Sequence, residues 1–121
     1  MIRAIKKQIM AKLRAINPRV YGEKADDDAV FPYQVFSFPS NLYREGAFAG
    51  YLDIDVWDRS DSSAVVDEIC DQIMTSLDRF CYIDNDVQMT LHLYNLLTVE
   101  PDDKTLRRKT VIFEIHFRRI T

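Results

Sequence analysis

A chain of 121 residues with 47% hydrophobic content is long enough for one ordinary domain with its own core, without disulfide or metal staples. A formal net charge of -3, with 29% charged residues, excludes the strong basic excess of a nucleic-acid binder and the composition of a disordered acidic tail. Only three glycines are present, which argues against close backbone approach to a nucleotide phosphate, and no HExxH, GxSxG or Cys-His nucleophile pattern occurs.

Ile2, Ile5, Ile9, Leu13 and Ile16 recur at three- and four-residue steps with Lys and Arg between them, which predicts an amphipathic helix over residues 2–16. Asn17-Pro18 stops it, because the residue before a proline is pushed out of the helical region. The segment VYGEKADDDAVF reads as a loop. PYQVFSF at 32–38, rich in aromatic and β-branched residues, predicts a first strand closed by Pro39, Ser40 and Asn41. Residues 40–49, around NLYREGAF, read as a loop.

The run GYLDIDVWD lies in a second strand over residues 47–58, with Leu52, Ile54 and Val56 on one face and Tyr51, Asp53, Asp55 and Trp57 on the other. A helix over 62–80 follows, with Ser60 or Asp61 as N-cap and Val66, Ile69, Cys70, Ile73, Leu77 and Phe80 as its buried stripe. A third strand is predicted over 87–95, with Val87, Met89, Leu91 and Leu93 inward and Gln88, Thr90, His92 and Tyr94 outward. Residues 100–109 read as a charged, protruding loop. The last strand, TVIFEIHFR, alternates Val111, Phe113, Ile115 and Phe117 against Ile112, Glu114, His116 and Arg118. The expected fold is a single α+β domain over 1–121. Its order is α-β-β-α-β-β, a two-layer sandwich of a mostly antiparallel sheet of about four strands with two helices on one face.

The outward strand residues gather carboxylates and imidazoles. A small metal-dependent hydrolase using Asp53, Asp55, His92 and His116 is therefore the alternative from an enzyme class. The wet face of an antiparallel sheet yields the same list with no chemistry, so the expectation is a non-enzyme with no cofactor and no metal. Cys70 and Cys81 lack CxxC spacing, and Cys70 reads as core. Lys and Arg among the apolar residues of the N-terminus argue against a signal peptide, and no stretch is of membrane-spanning length, so production in the cytoplasm and no membrane partner are expected.

Tyr51, Trp57 and Tyr94 are large aromatics on an otherwise polar face, the residue types that protein interfaces favour. Residues 1–19 carry Arg3, Lys6, Lys7, Lys12, Arg14 and Arg19 with no acid, whereas 53–86 carry ten acids against two arginines. Two electrically distinct regions suit head-to-tail contact between copies. The candidate interface residues are accordingly Lys6, Lys7, Tyr51, Asp53, Asp55, Trp57, Tyr94, Arg107 and Arg108.

The amphipathic first helix, the Pro32-Tyr33 strand start in FPYQVFSF, the alternating strand ending DIDVWDRSD, the long helix and the closing FEIHFRR together resemble the tail-completion, or tail-terminator, proteins of long-tailed bacteriophages and prophages. The likeness spans nearly the whole chain and is one of order and spacing. It implies a virion structural subunit that forms a ring, commonly of six copies, at the head-proximal end of the tail tube. Such a ring stops tube polymerisation and docks the head connector. The implied partners are copies of itself, the tail tube protein and the connector protein, with DNA only passing through the ring. The implied place is the virion tail, after synthesis in the host bacterial cytoplasm. A neighbouring head-tail joining or neck component is the alternative within structural proteins. The acid run Asp26 to Asp28 and the charged 100–109 segment depart from the pattern.

Overall fold

The structure is a computed structural model that describes residues 1–120. Its elements in chain order are α1 (Ile2–Ile16), β1 (Val20–Gly22), β2 (Tyr33–Arg44), β3 (Ala47–Arg59), α2 (Ala64–Leu77), β4 (Cys81–Ile83), β5 (Val87–Val99) and β6 (Leu106–Arg119). The six strands form one mixed sheet in the order β1-β2-β3-β6-β5-β4, with β1 parallel to β2 and every other pair antiparallel. The expected four-stranded two-layer sandwich is thus overturned: the domain is α+β, but its sheet has six strands and curls into a half-barrel.

The two extra strands are short and arise from local bonding that has no periodic signature. Next to β1, the Gln34 amide donates to the Arg19 carbonyl and the Glu23 amide to that of Phe36. Asn17 Nδ2 and Arg19 Nε both donate to the Pro32 carbonyl, which ties the expected loop down beside β2. At the other edge, Asp84 Oδ1 accepts from the amides of Asp86 and Val87, closing the turn that folds β4 onto β5. The same bonds hold the Asp84 carboxyl below its ordinary range.

The core lies between one face of the sheet and both helices. Ile5, Ile9 and Leu13 of α1 and Val66, Cys70, Ile73 and Leu77 of α2 pack with Leu52, Ile54, Val56, Val111, Phe113 and Ile115. Burial pushes the Cys70 thiol up to about 12, so it stays protonated and serves as packing. Helix α1 ends as the sequence predicts, at the extended Asn17. Buried Gln34 completes that end by donating to the carbonyls of Leu13, which also accepts the Asn17 amide, and of Asn17, which lies beyond the last turn.

Helix α2 is shorter than the expected 62–80. It begins at Ala64 with Ser63 as N-cap in place of the expected Ser60 or Asp61, while Ser62 Oγ accepts the Ala64 amide, and it ends at Leu77, where Asp78 turns extended ahead of Arg79 at φ 62°. None of the described helices is long and apolar enough to cross a membrane.

Two expected loops are largely strand. Residues 40–49 form a β-hairpin arm, in which β2 and β3 pair as far as Arg44 and Ala47 around a two-residue turn, Glu45 (φ 53°) and Gly46 (φ 86°). β2 passes Pro39 through a register shift between Ser37 and Ser40, an irregularity where a proline costs no ladder bond. There β3 approaches so closely that a Cβ on Gly50 would fall 1.9 Å from the Ser40 carbonyl oxygen. The expected loop of 100–109 narrows to 100–105, because Leu106–Lys109 already belong to β6.

Candidate functional site

The face of the sheet turned away from the helices carries the candidate residues. Strand register decides which of them meet. Asp55 pairs with Thr110 and Trp57 with Arg108 across β3 and β6, while Tyr51, Glu114 and His92 form one row across β3, β6 and β5.

Asp55 is fully engaged within the chain. Its Oδ1 accepts from Arg108 Nε at 3.3 Å and Nη2 at 3.1 Å, and from the Thr110 hydroxyl. The Arg108 guanidinium in turn sits 4.8 Å from the centre of the Trp57 ring, which stacks on Tyr33 at 6.4 Å. Tyr33 also contacts Phe31 and Tyr21. Four aromatics, one arginine and one aspartate therefore form a continuous packed group at one end of the open face. Nothing in the sequence separation of 53 residues between Asp55 and Arg108 announces that pair.

Asp53, one pleat along, makes no side-chain hydrogen bond among the described residues, and partial burial beside the Asp55 charge raises its carboxyl above the ordinary value. The hydrolase constellation does not come together. His116 pairs with Ala49, six residues along β3 from Asp55, roughly 20 Å away. His92 lies two strands and two residue steps from Asp53, roughly 12 Å. Among the described residues no three His, Cys, Asp or Glu side chains gather as a metal set.

The basic run 107–109, which reads as loop, is strand because each cation finds a partner. Arg107 donates to the carbonyls of Ser60 and Asp61, Arg108 to Asp55, and Lys109 on the helix side pairs with Asp67. Lys109 and Ser63 hold the Asp67 carboxyl below its usual range. A hollow of about 540 Å³ lies between the start of α2 and residues 98–109, yet its cations are those already paired, apart from Lys104.

The remaining candidates are distributed. Tyr51 and Tyr94 do meet, with ring centres 5.1 Å apart, so two predicted interface aromatics form one patch. On α1, Lys6 pairs with Glu23 at 3.3 Å, whereas Lys7 is exposed and makes no ion pair among the described residues. Sequence reasoning missed two exposed apolar pairs: Leu42 and Tyr43 on the hairpin arm, and Leu96 and Leu97 on β5. Their signal was NLL at 95–97, which interrupts the strand alternation where the register shifts after Leu93.

No family model and no curated protein matches this sequence. Among solved structures, the chain is similar in fold to one described as "Virion of native gene transfer agent (GTA) particle", with a TM-score of 0.66 and 10% identity. The likeness covers 88% of this chain and 84% of that one.

Proposed function

We propose that this protein is a structural component of a phage-like virion, which acts by stoichiometric assembly. In the finer form of the proposal, copies form a ring at the head-proximal end of the tail tube, end its polymerisation and offer a docking surface to the head connector. The observation that carries the reading is the fold likeness, over most of both chains, to a chain of a gene transfer agent particle. The sequence resemblance to tail-terminator proteins points the same way independently. The open face adds physical support. Asp55 and Arg108 are tied into an ion pair and an aromatic stack, while apolar side chains remain exposed on the hairpin arm and on β5.

Deleting the protein from its particle-producing system tests the tail role. Tails of uncontrolled length that fail to join heads, seen by electron microscopy, are the expected result. Tails of normal length joined to heads refute it. Charge is expected to orient the assembly: Lys6→Glu with Lys7→Glu weakens self-association and lowers its salt sensitivity, measured by native mass spectrometry and sedimentation across ionic strength. Because Lys6 already has Glu23, the Lys7 change carries the larger part.

A further inference from the structure

We infer that successive copies of this chain join by strand addition, the outer end of β5 in one copy pairing antiparallel with the hairpin arm of β2 in the next. The inference rests on the assembly reading above in taking a second copy as the occupant. Its geometry comes from the sheet.

Both edges of the sheet are only half covered. β1 covers β2 at Gln34 to Phe36 and leaves its outer half bare, while β4 covers β5 at Gln88 to Thr90, Phe80 and Asp78 take the Leu91 and Leu93 amides, and residues 94–99 are left bare. Bare edges are normally protected by Lys, Pro or brevity. Here they carry Leu42 and Tyr43, 75% and 64% exposed, and Leu96 and Leu97, 40% and 42% exposed.

The outward-pointing backbone groups on the two edges match. A two-residue turn makes Arg44 and Ala47 a hydrogen-bonded pair, so Leu42 also bonds toward β3 while Asn41 and Tyr43 point their amides and carbonyls outward. On β5 the Leu96 amide is taken by its neighbour Asn95 Oδ1 and lies off the ladder to β6; Thr98, two residues on, is oriented the same way. Each edge thus offers two residues with outward groups, all free except the Leu96 amide, which exchanges Asn95 Oδ1 for a carbonyl of the incoming strand.

Direction and side-chain face agree as well. β2, β3, β6 and β5 are antiparallel in turn, so β5 runs opposite to β2 and a following copy in the same orientation presents its β2 antiparallel to β5. Leu97 lies in the row of Thr110 and Asp55, and Leu42 in the row of Ala49, so both belong to the open face. Tyr43 pairs with Phe48 and Leu96 with Val111, so both belong to the helix side. Setting Tyr43 opposite Leu96 and Asn41 opposite Thr98 uses all the outward groups and places Leu42 against Leu97. Both exposed apolar pairs then leave water together. A register two residues off in one direction would set Pro39, which has no amide hydrogen, into the new ladder, and in the other would set Leu96 opposite Glu45 of the turn.

The surface is heterologous, because the two edges lie on opposite sides of the sheet and at opposite ends of the strands. Leu97 and Leu42 lie six residues apart along the strands, about 20 Å, across three strand spacings; the contact between copies adds a fourth, about 19 Å in total, which inclines the strands by about 45° to the line of copies. A series built this way closes into a ring when the rotation per copy permits.

Paired single-cysteine variants test it, made in full-length protein carrying Cys81→Ser, since Cys81 is the exposed thiol. Leu42→Cys mixed with Leu97→Cys is expected to give a cross-linked dimer under mild oxidation, and neither variant alone is. The double variant is expected to give a cross-linked ladder ending at the ring size. Thr98→Pro is expected to leave the circular dichroism spectrum unchanged and to abolish assembly in native mass spectrometry. Cross-links within either single variant overturn the inference. Assembly without the mixed cross-link overturns it and leaves the ring reading standing. A protein monomeric at every concentration also overturns it, while tail-length control by that protein would preserve the tail role. The mixed cross-link together with normal tails on deletion upholds strand addition and removes the tail role.

Discussion

Replacing Asp55 by Ala asks whether the carboxylates of the open face serve chemistry or architecture. The side chain is 19% exposed and Arg108 31%, so solvent screens the pair only in part. Asp55 Oδ1 accepts two guanidinium hydrogens and the Thr110 hydroxyl. Charged hydrogen bonds of this kind are worth about 1.5–3 kcal/mol singly, and they do not add in full when they share one oxygen. A total loss of about 2 kcal/mol is therefore expected for Asp55→Ala. With an unfolding entropy of about 2.1 cal/mol/K per residue, that corresponds to a fall in Tm of roughly 8 °C for a chain of this length. Asp55→Asn keeps an acceptor for Thr110 but loses the charge, and is expected to fall about halfway. Urea unfolding followed by fluorescence measures both, and Trp57, the single tryptophan, reports the site directly. Releasing Arg108 from above its ring should red-shift the emission of the folded protein. A double-mutant cycle with Arg108→Met is expected to give about 1 kcal/mol of coupling. A loss below about 0.5 kcal/mol, with no coupling and no spectral shift, would refute the architectural role and return Asp55 to the list of groups available for chemistry.

Gln34→Ala removes the buried amide that donates twice to the end of α1 and deprives the Asn17 carbonyl of that partner, while the Leu13 carbonyl keeps the Asn17 amide, so a loss of about 1–2 kcal/mol in denaturant unfolding is expected, against about 0.5 kcal/mol or less for exposed Gln72 of α2. Asp53→Asn is expected to stabilise the protein near neutral pH. The folded carboxyl titrates above its unfolded value, so its charge opposes folding once pH rises through the folded pKa, and the gain should vanish below the unfolded value, near 3.8. Thermal melts of both proteins at pH 3 and 7 check the sign. The opposite sign is expected at Asp84, whose lowered carboxyl contributes stability at neutral pH that is lost as pH falls through its folded value.

Where a residue's environment is set by its own strand or helix, the sequence was legible. Leu52, Ile54 and Val56 are fully buried as their two-residue period requires, and the stripes of both helices reach the core. Lys and Arg at 107–109 misled because strand positions carrying charge look like loop until their partners are known, and those partners lie at Ser60, Asp55 and Asp67. β1 and β4 are three residues each, too short for any period to show. Gln34 gave a signal that went unread: it shares a face with Phe36, so a polar residue stood in a row of core positions, and only a buried partner could make that tolerable. The site was legible in part. The Tyr51 and Tyr94 patch follows from alternation, but the bare edges with Leu42, Tyr43, Leu96 and Leu97 depend on where β1 and β4 stop.

The charge asymmetry takes a narrower meaning in the folded chain. Part of it is neutralised internally, Lys6 by Glu23 and Asp67 by Lys109, so fewer charges remain to meet a neighbour than the counts suggest. Arg3, Lys7 and Arg14 on α1 and Glu68 and Asp71 on α2 stay exposed. Exposed charges of this kind govern encounter and orientation more than they hold a complex together, since each pair contributes about 0–1 kcal/mol and is screened by salt. Cohesion must come from surface that leaves water, and α1 and α2 already seal the middle of the sheet's helix side while leaving Tyr43 and Leu96 exposed at its edges. That leaves the hairpin arm and the outer end of β5. Salt is therefore expected to slow assembly without dissolving assembled oligomers, whereas changes at the bare edges dissolve them at any ionic strength. Association and dissociation rates measured separately distinguish these two contributions, and a dissociation rate that rises steeply with salt would place the cohesion in the charges instead.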